Sequence, residues 1–116
     1  MSPTARTLQR LKREGHVCGV VERFNSFIKR RIDLFGFCDA IAIGNGCIVA
    51  VQCCAGSGHA AHKAKILAEP RAKLWLESGG YIWLVSWRKC KVKRGGKAYR
   101  YEERREQINL DEFPDV

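Results

Sequence analysis

The chain has no run of about 18 apolar residues and no charged–apolar–small pattern at its start. Neither a membrane-spanning helix nor a secretory leader is therefore expected, and a cytoplasmic, reducing setting with no membrane partner is the expectation. Six cysteines are present, at positions 18, 38, 47, 53, 54 and 90, but no Cys-x-x-Cys pair occurs and Cys53 and Cys54 are adjacent. Zinc-finger and disulfide-scaffold readings fit poorly, and reduced, buried thiols packing as small hydrophobes fit better. There is also no internal repeat, linker or low-complexity tract. At 116 residues and 46% hydrophobic, the chain reads as a single domain over 1–116 with one modest core.

What is present in excess is positive charge. The formal net charge is +9, and it is unevenly spread: residues 102–116 hold six acids against two arginines, which leaves +13 on the preceding residues. A basic body with an acidic tail at about 106–116 suits a polyanionic partner, most simply nucleic acid, DNA before RNA.

Along the chain, Ser2-Pro3-Thr4 can open a helix that runs to about Glu14 and stops at Gly15. Arg6, Arg10 and Arg13 form one stripe on it. Val17 to Phe24 reads as a strand carrying Glu22, Ile32 to Ile43 as a second extended segment and Cys47 to Cys54 as a third. Gly56-Ser57-Gly58 launches a helix from about His59 that Pro70 interrupts and Gly79-Gly80 ends. Tyr81 to Trp87 reads as a central strand, and a further hairpin is expected around Gly95-Gly96.

Asn45-Gly46 is the most informative pair. Between two apolar runs it signals a two-residue type I′ turn. Gly44 then pairs with Cys47 and Ile43 with Ile48, and counting outward puts Asp39 opposite Gln52 on one face, with Cβ atoms roughly 5 Å apart. An acid facing an amide at the open end of an apolar hairpin makes a poor core and a good metal site. Magnesium takes hard oxygen ligands and keeps several waters, so Asp39, Gln52 and one further acid suffice, and Glu22 is the natural third. Asp33 is read as structural or supporting.

The stretch Arg31-Ile-Asp-Leu-Phe-Gly-Phe-Cys-Asp39, then an apolar strand and Val51-Gln52, resembles the PD-(D/E)xK nuclease superfamily. It is most similar to small phage or bacterial members related to Holliday junction resolvases and VRR-NUC domains. The resemblance runs from Glu22 through Trp87-Arg88-Lys89. It implies an α/β, restriction-endonuclease-like αβββαβ core with a mixed sheet, here with an extra C-terminal strand. It also implies a phage or bacterial Mg2+- or Mn2+-dependent endonuclease that acts on DNA as a homodimer, structure-specific on branched or junction substrates. Asp39 then matches the central metal-binding aspartate, Gln52 the Glu/Gln of the (E/Q)xK element, the carbonyl of Cys53 an extra ligand and Glu22 the N-terminal acid. The lysine due two residues after Gln52 is Cys54. Lys65 on the following helix is the first replacement and Lys63 the second, with His62 where arginine is expected.

A Gly95-Gly96 turn would oppose Arg94 to Lys97, Val92 to Tyr99 and Lys91 to Arg100. Like charges across a ladder repel and suggest phosphate contacts. Arg30, Arg31, His62, Arg88, Lys89, Lys91, Lys93, Arg94, Lys97 and Arg100 are the expected nucleic-acid contacts. Lys89 is expected opposite Glu102 and Arg88 opposite Glu103. Two alternatives stand beside the nuclease: a nucleic-acid-binding module whose site is degenerate because of Cys54, and an interaction subunit whose basic face docks an acidic protein.

Overall fold

A computed structural model describes residues 1–114. The chain runs α1 (Pro3–Arg13), β1 (Val17–Val20), β2 (Arg23–Asn25), β3 (Arg30–Ile32), β4 (Ala40–Gly44), β5 (Cys47–Ala55), α2 (His59–Leu67), α3 (Pro70–Glu77), β6 (Tyr81–Lys91) and β7 (Tyr99–Ile108), with 3-10 turns at Gly56–Gly58 and Leu110–Glu112. Five strands form one sheet in the order β1-β4-β5-β6-β7, and β2 and β3 form a separate two-stranded ribbon. Every pairing is antiparallel except β5 with β6. That parallel pair needs a crossover, and α2 and α3 supply it. The class is α/β with a mixed sheet, as expected.

Local chemistry sets the helix ends. The Ser2 hydroxyl accepts from the Ala5 N–H at 3.1 Å, Pro3 opens α1, and Gly15 leaves it at φ +96°. Pro70 opens α3, where the Glu69 carboxylate accepts from the Arg71 N–H at 3.0 Å. Alternate residues of β5 then feed two cores. Val49, Val51 and Cys53 pack with Leu11 of α1 on one face; Ala50 and Cys54 pack with Ile66 of α2 and Ala72 of α3 on the other. Truncating a fully buried residue such as Leu11 to alanine should cost about 2–5 kcal/mol. The six cysteines are free thiols, and burial pushes Cys38 and Cys53 up to about 12.

The first hairpin forms on Asn45-Gly46, with φ +52° and +78°, and Gly44 pairs with Cys47 and Ile43 with Ile48. Four expectations need correction. Val17 to Phe24 is not one strand: the N–H groups of Val21 and Glu22 both donate to the Asp39 carbonyl, at 2.9 and 3.2 Å, and the chain leaves the sheet there to enter β2. Nor is Ile32 to Ile43 continuous, because Leu34 and Cys38 bridge each other across a tight turn. The β6–β7 hairpin closes on the five residues 93–97, with the Val92 N–H on the Ala98 carbonyl at 3.0 Å, rather than on Gly95-Gly96 alone. Its register is therefore one residue off: Lys91 faces Tyr99, Cys90 faces Arg100, Lys89 faces Tyr101 and Arg88 faces Glu102. Finally, the stretch expected as an acidic tail at about 106–116 is built into the fold as far as Phe113. Glu106 lies within β7, an Asn109–Glu112 capping box closes the last turn, and Phe113 is buried. Residues 115–116 lie outside the described residues.

Candidate metal centre

Asp39 stands one residue before β4, where the β4–β5 register continued past Ala40–Val51 brings it opposite Gln52. Its N–H donates to the Val51 carbonyl at 2.9 Å, and its own carbonyl accepts from Val21 and Glu22. One peptide thus ties three chain segments together. The side chain is 4% exposed, and its Oδ2 accepts from Gln52 Nε2 at 2.7 Å and from the Cys53 N–H at 2.8 Å. In an extended strand the carbonyl leaves by the same edge as the N–H, so the Cys53 carbonyl also faces the β4 side.

Asp33 arrives by a different route. Its carbonyl accepts from the Gly36 N–H, and Phe35 and Gly36 turn the chain back with φ of +54° and +76°. The left-handed region is costly for a phenylalanine, and such strain persists only where the surroundings hold it. The Phe35 ring lies 5.9 Å from the Arg71 guanidinium. The reversal brings Asp33 back beside Asp39, and Glu22, Asp33 and Asp39 each offer a carboxylate oxygen within 4.8 Å of the others. From α2, Lys65 Nζ donates to Asp33 Oδ2 at 2.6 Å, and Arg31 lies 3.7 Å from Glu22.

Three carboxylates this close cannot all ionise freely. Burial, then the hydrogen bond and charge of Asp33 and the charge of Glu22, push Asp39 up to about 8. Burial also works against Asp33, but hydrogen bonds from Asp39, Lys65 and Gln52 and the Lys65 charge outweigh it and hold that carboxyl below its usual range. The cluster keeps a proton on Asp39 that a divalent cation would displace.

The donor set suits such a cation. Asp39 Oδ2 accepts from the Cys53 N–H, and the Gln52 NH2 faces the same oxygen, which turns Gln52 Oε1 away from it. Gln52 is 2% exposed, and its Oε1 has no hydrogen-bond partner. A buried carbonyl left unpaired costs about 1–3 kcal/mol, and this one lies beside a carboxylate cluster where it could serve as a ligand atom. Carboxylate and amide oxygens are what Mg2+ and Mn2+ take. Two open clefts of about 430 and 500 Å3 flank the base of the β2–β3 ribbon. Glu22 lines the first and Asp33 the second.

The structure brings Glu22, Asp39, Gln52, Cys53 and Lys65 together. It also adds Asp33, whose place beside Asp39 spacing alone does not suggest; the Phe-Gly pair between Asp33 and Asp39 is the signal that the chain doubles back. Lys63 does not reach the acids. Two residues from Lys65 on α2, it turns toward β7 and pairs with Glu106 and with Glu112, the latter at 2.8 Å. His62 Nδ1 donates to the Gly58 carbonyl at 2.8 Å, and Cys54 is buried in the core under α2 and α3.

Of the expected basic contacts, Arg88 and Arg100 both pair with Glu102, at 3.1 and 2.8 Å, and Lys89 lies 4.3 Å from the Tyr99 ring. The like-charge pairs Arg94–Lys97 and Lys91–Arg100 are not formed, because the register differs. Lys91, Lys93, Arg94 and Lys97 are exposed, and among the described residues none has an acidic partner. The α1 stripe is partly used internally: Arg6 stacks on Tyr101 at 3.5 Å and Arg10 reaches Glu103 at 3.4 Å. Among the described residues no helix is long and apolar enough to cross a membrane.

No protein-family model, curated protein or solved structure matches the chain.

Proposed function

We propose that the chain is a metal-dependent nuclease of the PD-(D/E)xK type that hydrolyses DNA phosphodiester bonds. The observation that carries this is the orphaned, buried Gln52 Oε1 beside three converging carboxylates, one of them Asp39 pushed up to about 8. Asp39, Glu22, Asp33, Gln52 Oε1 and the Cys53 carbonyl would hold Mg2+ or Mn2+. Such an ion, when bound, polarises a phosphate and lowers the pKa of a bound water.

The chain's own groups do the rest. Asp39 would hold such an ion as a full anionic ligand, without the proton that the neighbouring acids otherwise keep on it. The backbone N–H of Cys53 and the amide of Gln52 keep Asp39 Oδ2 in one orientation. Lys65, half-exposed on α2 and paired with Asp33, would supply the ammonium that the resemblance calls for and Cys54 lacks. It neutralises Asp33 and offers positive charge to a phosphate drawn up to the acids. The net +13 on the first 101 residues supplies long-range attraction for the polyanion. A homodimer would supply two such sites, one for each strand of a duplex.

Cys54 favours one rival, a binding module of the same fold that does not cut. Labelled duplex, single-stranded and four-way-junction DNA, incubated with Mg2+, Mn2+ or EDTA, separates the two. Metal-dependent cutting by the wild type that Asp39→Ala abolishes is expected. Tight binding with no cutting under any metal would refute the nuclease.

A further inference from the structure

The β2–β3 ribbon is the feature that the metal centre leaves unexplained. It stands outside the main sheet, with Phe24 facing Arg31 and Asn25 facing Arg30 across the pair. At its tip Phe27 is 95% exposed. The tip is built rather than loose: Asn25 Oδ1 accepts from the N–H groups of Phe27 and Ile28, at 2.9 and 3.3 Å, and Lys29 takes φ +53° to close the turn. A phenyl ring held in water by a fixed turn is costly unless something covers it.

Charge decides what covers it. Arg23, Lys29, Arg30 and Arg31 surround the two phenylalanines, and the acids nearest in sequence, Glu22 and Asp33, both sit at the base of the ribbon rather than along it. A second copy seated there would set these cations against each other. A nucleic acid offers phosphates to the cations and a base stack to the ring. The ribbon is also anchored in the metal centre, since Glu22 directly precedes β2 and Asp33 directly follows β3. Three residues at about 3.3 Å each put the Asn25–Arg30 pair roughly 10 Å from those acids, and Phe27 lies just beyond it in the turn.

We propose that Phe27 is a wedge that enters an already loosened base step, so that the ribbon selects nicked, branched or otherwise unstackable DNA and sets where it is cut. This rests on the nuclease function above, and it names the substrate class of that site. At about 3.4 Å per nucleotide along a strand, the unstacked base should lie roughly three to four nucleotides from the cut phosphate. Intact duplex resists because unstacking costs a few kcal/mol per step, whereas a nick or branch has already lost that stacking.

The test places 2-aminopurine, whose fluorescence rises on unstacking, at successive positions around a nick in a duplex. The full chain is added with Ca2+ in place of Mg2+ to leave the DNA uncut, and cleavage of the same duplexes is measured in Mg2+. The wild type should brighten one or two positions about three to four nucleotides from the mapped cut. Phe27→Ala should abolish that signal and weaken binding to nicked DNA about five- to a hundred-fold, with intact duplex unaffected. Phe27→Trp should keep both. Equal fluorescence and equal nick preference in Phe27→Ala would overturn the wedge while leaving the nuclease standing. A wedge signal without metal-dependent cutting would overturn the nuclease and leave the wedge. Failure to bind DNA would overturn both.

Discussion

Two clusters of ionisable side chains meet α2, and they are built to opposite rules. Near its start, His59 Nδ1 bonds the Ser86 hydroxyl at 2.7 Å and its Nε2 meets Glu106 at 2.8 Å, while Lys63 joins Glu106 to Glu112. Each charge there has a counter-charge, and Lys63 and then His59 hold Glu106 below the usual carboxylate range. Farther along, the acids around Lys65 outnumber their cations, one carboxyl is pushed up to about 8, and an amide oxygen is left without a partner. A saturated network pins α2 to β7. An unsaturated one has ligand atoms to spare. Two lysines two residues apart therefore have different work, and the difference is legible in what each one touches.

Mutations should break this contrast in order of size. Asp39→Ala removes the central ligand and should lower Mg2+-dependent cutting at least about a thousand-fold, as single-turnover rates would record. Lys65→Ala takes away the ammonium paired with Asp33, the proposed phosphate contact, and should lower the rate about a hundred-fold, with little change in melting temperature. Lys63→Met should do the reverse: unchanged cutting and a lower melting temperature, since Glu106 and Glu112 lose their shared partner. Equal loss of cutting in both lysine variants would erase the distinction.

The subtlest effect is in stability against pH. With EDTA present, the folded chain keeps a proton on Asp39 between roughly pH 4 and 8 that the unfolded chain has already lost. Stability should therefore fall as pH rises through that window. Asp33, held low, contributes the opposite slope only below its ordinary value. Asp39→Asn, which mimics the protonated carboxyl, should flatten the slope and melt above the wild type at pH 8, as thermal denaturation across pH would show. A site variant more stable than its parent is what an unsaturated centre predicts.

Much of the centre is legible in the sequence, because Asn45-Gly46 admits one turn type and the count outward from it is rigid. The pairing of Asp39 with Gln52 follows from that count alone. Glu22 joins them as expected, although the strand expected to carry it does not exist. The break at Val21-Glu22 comes from two N–H groups sharing the Asp39 carbonyl, a tertiary contact with no local signal. The approach of Asp33 to Asp39 is not legible because six residues of strand would carry them far apart, and only the left-handed Phe35-Gly36 turn brings Asp33 back. Gly95-Gly96 misleads for the opposite reason. Two glycines fit many turns, and the hairpin takes a five-residue loop that shifts every pair by one.

The most direct test of a cation site at Asp39 is calorimetric titration of the chain with Mn2+ at pH 7 in buffers of different ionisation enthalpy. One ion per chain should bind with release of close to one proton, that of Asp39, and Asp39→Asn should lose both the affinity and the proton. Absence of binding, or binding that Asp39→Asn leaves unchanged, would contradict the account.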